Sequence, residues 1–265
     1  MNIPFGMRVG YHRFRRMLDW WLHPLPWATE HKNLKAFPLT LLEKTSPLQR
    51  APDGAIATFT DEKTQNLRLA CQQIDGLVLP PNSIFSFCRT VGKTTTKKGY
   101  LPALELHDGD MQPSVGGGLC QLSNLLLLLA LEANAEIVER HRHSYDLFRD
   151  VERAVPFGCG ATVFYNYVDF QFRNRLPFPV CIYATVTPPV LRASIHAEYP
   201  LPFRISIRET DHGFFRQHDQ VYRKNCIWRH IEWLDGRVTE RELLFNNVCR
   251  VLYPADDLVS EDIHV

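Results

Sequence analysis

The stretch VGGGLCQLSNLLLLLALEANA, residues 115–135, decides the fold. From residue 119 to 135 it holds no Gly or Pro, and its leucines and alanines fall on every side of a helical wheel. A helix that is apolar all round leaves no face for water, so it reads as the buried centre of a domain. The flanking sequence supplies strands to cover it. Ile84-Phe85-Ser86-Phe87 alternates as a strand does, and further strands are predicted at 135–143, 161–173, 180–186 and 191–198. In the tail, 226–233 and 238–245 flank Leu234-Asp235-Gly236-Arg237, a hairpin turn. The fold class is therefore α+β, with a central buried helix starting at the cysteine motif, packed on a mainly antiparallel sheet, and a β-rich C-terminal extension.

Upstream, Thr60 caps a helix opening with Asp61 and Glu62. Leu67, Ala70, Cys71, Ile74 and Leu77 recur at helical spacing, and Gly76 supplies a stop. Asp108-Gly109-Asp110 marks a turn leading towards Ser114. Residues 27–56, interrupted by Pro38, Pro47 and Pro52, read as an irregular, extended lead-in. Three regions follow: an N-terminal basic and aromatic lead-in at 1–55, a core domain at 56–200 and a β-hairpin extension packed on the core at 201–265.

Composition narrows the function classes. At 265 residues, 45% hydrophobic and 22% charged, the chain can bury a sizeable core. A formal net charge of +1 gives no global attraction to polyanions, so no nucleic-acid partner is expected. Seven widely spaced cysteines without a CxxC pair read as reduced thiols, mostly buried. The one basic cluster is near the start, where Arg8, His12, Arg13, Arg15 and Arg16 alternate with Tyr11, Phe14, Trp20 and Trp21. It reads as a partly exposed helix, ended by Pro24 and Pro26, whose aromatics dock on the domain. Peripheral contact with an anionic membrane surface is the second reading. No apolar run has the length of a signal peptide's core or a membrane span, which reads as a cytoplasmic protein.

The chemistry concentrates where the central helix begins. Gly116, Gly117 and Gly118 remove every side chain from the approach to Cys120 and permit backbone angles closed to other residues. A cysteine at a helix start is predicted to have a depressed pKa, and the free N–H groups from Leu119 onward suit an oxyanion. Gln121 and Ser123 add polar groups for substrate. On the strand predicted after the helix, Glu139, His141 and His143 share one face, so either histidine can serve as base. Asp169 is the candidate to orient the imidazole, ahead of Asp146. A zinc site built from Cys120, His141, His143 and Cys88 or Cys159 fits no standard ligand spacing, and neither metal nor cofactor is expected.

The set Phe85-Ser86-Phe87, Gly99-Tyr100, the GGGLCQLSN core at 116–124, Ile137-Val138-Glu139-Arg140 leading to His143, Ala161-Thr162-Val163 and 169–174 (DFQFRN) resembles the VanW family. That family is named for an accessory protein of vancomycin-resistance gene clusters. Some of its exported, multidomain members are L,D-transpeptidases that use the cysteine of this motif to join peptidoglycan stem peptides. The resemblance implies Cys120 as acyl acceptor, His143 as base with His141 in reserve, and a peptidoglycan stem peptide or precursor as partner. The family often carries an acidic residue just before Ala-Thr, where this chain has Gly160, which leaves Asp169 as the orienting candidate. A non-catalytic module binding cell-wall peptides or a partner through the same glycine-lined groove is the alternative.

Overall fold

A computed structural model describes residues 5–22, 24–48, 60–107, 110–142, 145–146, 156–259 and 261–262. In chain order the elements are α1 (Phe5–Leu22), β1 (Leu39–Pro47), α2 (Thr60–Ile74), β2 (Leu77–Leu79), β3 (Ile84–Ser86), α3 (Phe87–Val91), β4 (Pro102–His107), β5 (Asp110–Val115) and α4 (Cys120–Glu132). There follow β6 (Glu136–Glu139), β7 (Tyr145–Asp146), β8 (Gln171–Arg173), β9 (Val180–Thr187), β10 (Val190–Ala197), β11 (Phe203–Gln217), β12 (Gln220–Trp233), β13 (Glu240–Val251) and β14 (Glu261–Asp262). Strand content exceeds helix content and the sheets are mainly antiparallel, which is the α+β class that the central stretch implies.

The central helix is α4. Leu122, Leu125, Leu126, Leu127, Leu129 and Leu131 are all buried, while Gln121, Asn124, Leu128 and Glu132 leave one side half-buried. One cover is the sheet β1-β10-β9-β2, whose inner face presents Val180, Ile182 and Ala184 from β9 with Leu191, Ala193 and Ile195 from β10. The alternation follows from the strand period of two, and the outward Cys181 joins Val78 and Phe37 in a small cluster on the other face. Helix α2 lies on β9 through Leu67, Ala70, Cys71 and Ile74, beside α4 on β1 and β10. Asp61 and Glu62 complement the dipole at its start, and Gly76 stops it at φ 78°, beyond easy reach of other residues.

A second cover is the sheet β3-β8-β6, where the rings of Phe85, Phe170 and Phe172 pack with centroids 5.0–6.2 Å apart. The third is the meander β11-β12-β13, flanked by parallel pairings to β14 and β7. Arg229, fully buried on β12, donates to the carbonyls of Leu131 (3.3 Å) and Ala135 (2.9 Å), where the carbonyls of α4 and its exit lack helical partners. A cation there satisfies acceptors and the dipole together, and Glu242 holds the guanidinium at 2.6 Å.

The structure corrects three readings of the sequence. Residues 27–56 are not all irregular: β1 runs antiparallel to β10 at a sheet edge, eight of its nine residues paired and Leu41 left out at a bulge, and a terminal proline there costs no ladder bond. The strand expected over 161–173 shrinks to β8, because Asn166 at φ 52° closes a tight turn between Phe164 and Val168. The strand expected to reach 143 ends at Glu139. Arg140 there turns to donate to the carbonyls of Gly158 and Gly160, with its guanidinium 3.7 Å from the Phe245 ring centre.

Candidate functional site

Cys120 is the first residue of α4, and three glycines bring the chain to it. The space around those glycines is occupied by the protein itself. A Cβ on Gly117 would lie 2.1 Å from the Ala103 carbonyl oxygen on β4, one on Gly116 2.7 Å from Thr94 Cβ, and one on Gly118 2.5 Å from Lys63 Cγ. Gly116 and Gly118 also have φ near +90°. The triplet therefore presses the turn against β4 and α2 instead of clearing a path to the sulfur, which corrects the sequence reading.

The segment Ala161-Thr162-Val163 runs past the start of α4 and is stitched to it. Ser123 Oγ donates to the Ala161 carbonyl at 2.6 Å, and Asn124 Oδ1 accepts from the Ala161 N–H at 2.6 Å. The Thr162 N–H donates to the His141 carbonyl at 2.7 Å. Val163 turns its N–H to the Cys120 sulfur. Ser123 is thus a helix-to-segment clamp with no exposed surface.

The residue Cys120 is half-buried, yet its sulfur is desolvated. Burial pushes the thiol up to about 11; the Val163 N–H pulls it down, Glu105 repels the thiolate, and its own N–H helps it. The depressed pKa expected from the helix start is overturned, because a charge taken out of water loses more than one helix terminus returns.

Val163 and Glu105 also line a cleft of ≈ 200 Å³. Gly116, Leu119, Cys88, Arg13, Lys93 and Tyr165 line it as well. The cleft and the thiol share Val163 and Glu105 as neighbours. A larger hollow of ≈ 750 Å³ between Leu48, Thr64, Arg68, Leu101 and Pro189 shares no residue with this cleft.

Gln121 does not face an oxyanion site. Its Nε2 donates to Ser46 Oγ at 2.8 Å and to the Pro47 carbonyl at 2.7 Å, tying α4 to β1, and its Oε1 is buried without a partner. Asp169 is fully buried and accepts from Ser86 Oγ (2.6 Å), the Cys88 N–H (2.8 Å), the Phe170 N–H (2.8 Å) and Gln171 Nε2 (2.9 Å). Burial pushes its carboxyl up while these donors pull it down. Asp169 holds the start of α3 and does not touch His141. The candidate base His143 lies outside the described residues.

The carboxylate that orients His141 is Glu139, with Oε1 3.1 Å from His141 Nε2. Glu139 also receives both guanidinium nitrogens of Arg16 (2.7 and 2.6 Å), the Asp169 N–H and Gln171 Nε2. Burial opposes its charge, but His141 and Arg16 outweigh that and hold the carboxyl at about 2. Sequence reasoning placed Glu139 on the face of the histidines but gave it no role; the alternation was its only signal. Arg13 in the cleft wall gave no signal, since nothing in the sequence tells which side of α1 faces the protein. Among the described residues no three His, Cys, Asp or Glu side chains gather to hold a metal ion.

A family model described as VanW like protein matches residues 62–196. The vancomycin B-type resistance protein VanW of Enterococcus faecalis is 25% identical over 227 residues, 85% of this chain and 82% of that protein. The uncharacterized protein YoaR of Bacillus subtilis is 36% identical over 189 residues, 67% of this chain and 60% of that protein. No solved structure matches.

Proposed function

Since the chain belongs to the VanW family, we propose that it is a cysteine-dependent acyl transferase or amidase acting on peptidoglycan-type stem peptides, in cell-wall metabolism or glycopeptide resistance. One observation carries the reading: the Cys120 sulfur sits at the first turn of α4, and two of the groups that act on it, the Val163 N–H and the Glu105 carboxylate, belong to residues that line a cleft. Arg13 and Lys93 at that cleft suit the carboxylates of a stem peptide.

The chemistry follows from the protonated thiol. With a pKa near 11 the sulfur is almost wholly S–H at neutral pH, so a base must take the proton as the bond to carbon forms. By its place in the motif His143 is that base, with His141 in reserve. The sulfur adds to a stem-peptide carbonyl, the C–N bond breaks, and the leaving amine takes the proton from the imidazolium. A second amine or water then attacks the thioester, and the thiol is restored.

One geometric fact favours the alternative of a non-catalytic binding module: the sulfur is enclosed, and the Gln121 amide hydrogens are committed to β1. Incubating the full chain with stem tetrapeptides and an amine acceptor, and following products by mass spectrometry, separates the two. The transferase reading expects turnover by wild type and Cys226→Ala, and none by Cys120→Ala or Cys120→Ser. Peptide binding of equal affinity in wild type and Cys120→Ala, with turnover in neither, contradicts it and supports the module.

A further inference from the structure

Helix α1 is built inside out. The side turned to the protein carries Val9, His12, Arg13, Arg16 and Trp20 at helical spacing. These are fixed: Arg16 on Glu139, Arg13 Nε donating to the Tyr165 carbonyl at 3.0 Å, His12 edge-on to Tyr167 and Trp20 edge-on to Trp27. The opposite side carries Met7, Tyr11, Phe14, Leu18, Trp21 and Leu22, an apolar stripe running the length of the helix. Met7, Tyr11, Phe14 and Trp21 are 67%, 61%, 66% and 78% exposed. The aromatics predicted to dock on the domain therefore face away from it, apart from Trp20, and arginines dock in their place.

A contiguous apolar stripe this long on a fixed helix marks a surface that meets something else. Charge selects what that is. Arg8 and Arg15 border the stripe against one acid, Asp19, and Arg89 stacks over Trp20 at the helix edge. An apolar face bordered by arginine, with Trp and Tyr among its members, is the composition of a helix lying in the plane of a bilayer interface. No helix among the described residues is long and apolar enough to cross a membrane, so α1 would lie on the surface.

We propose that the outward face of α1 seats this chain on an anionic phospholipid surface. Arg13 belongs to both the helix and the cleft, so docking holds the cleft within about one helix diameter, ~10–12 Å, of the headgroups. The proposal stands apart from the acyl-transfer reading and uses neither Cys120 nor a histidine.

Flotation of the full chain with phosphatidylcholine vesicles, with and without about 30 mol% phosphatidylglycerol, tests it. Wild type is expected to float with the anionic vesicles, less so at high salt, because surface charge is screened. Phe14→Ser/Trp21→Ser is expected to bind at least about tenfold more weakly, since two exposed anchors are lost, with an unchanged melting temperature. Arg15→Gln should reduce flotation by a smaller factor. Wild type that stays in solution overturns the proposal, as does equal flotation of the double variant. So does a wild-type dimer that the double variant dissolves with no vesicle binding, which would make a second copy the occupant.

Discussion

In α4 the apolar side chains are buried apart from the half-buried Leu128, whereas in α1 they point outward and arginines meet the protein. The difference lies in what each helix packs against. Three sheets pack on α4 with Val, Ile, Ala and Phe, so most of its apolar surface finds apolar cover. The neighbours of α1 are the Glu139 carboxylate, the Tyr165 carbonyl and the rings of Phe164, Tyr165 and Tyr167, a surface that suits guanidinium and imidazole. A half-buried carboxylate and the aromatic rings beside it thus set which way an amphipathic helix faces. The usual rule, apolar stripe towards the core, holds only where the facing surface is apolar.

The contrast can be broken from the α4 side with the largest effect. Leu122→Ala removes a fully buried side chain and is expected to cost about 2–5 kcal/mol in chemical denaturation. A cost under about 1 kcal/mol would mean that α4 is not the centre of the core.

Next is the ionic anchor of α1. Glu139 is held at about 2 in the folded chain against an ordinary 4.5, a difference on the order of 3 kcal/mol. Because the folded value is the lower one, this stability is fully present above about pH 5. It is lost as pH falls towards 2. Glu139→Gln should therefore lower the denaturation midpoint at pH 7 and flatten its fall between pH 5 and pH 2. A variant as acid-sensitive as wild type would remove Glu139 from the account.

The smallest effect sharpens the comparison: Phe14→Ser on the outer face of α1 should change stability by less than about 0.5 kcal/mol. A loss like that of Leu122→Ala would show that Phe14 is covered by this chain.

These contrasts also mark how far the sequence could be read. Apolar alternation or all-round apolarity located α4, β9 and β10, because each meets an apolar neighbour, and the Asp235-Gly236 turn located the C-terminal hairpin, whose β12 buries Arg223, Asn225 and Arg229. Gly76 ended α2 for a local steric reason that needs no tertiary information. The edge strand β1 escaped because its prolines look like breaks, and only its partner β10 shows them at the strand's limits. At the site, the residue types of the cysteine motif singled out Cys120, but not the environment that raises its pKa. That environment is first the burial of the sulfur, with Glu105 adding to it and the Val163 N–H opposing it, none of which is local to Cys120 along the chain. Asp169 has the chemistry of an orienting residue, but the Cys88 N–H at the start of α3 and the Ser86 hydroxyl hold it elsewhere. Glu139 took its place beside His141 through a proximity of two residues that the alternation had already contained.

The central claim, that Cys120 at the mouth of α4 accepts an acyl group, is tested most directly by intact-mass analysis after brief incubation with a stem peptide and rapid acid quenching. The account predicts a mass increase on wild type equal to the acyl fragment, lost on treatment with hydroxylamine and absent from Cys120→Ala. No adduct on wild type under conditions where the peptide is turned over, or the same adduct on Cys120→Ala, would contradict it.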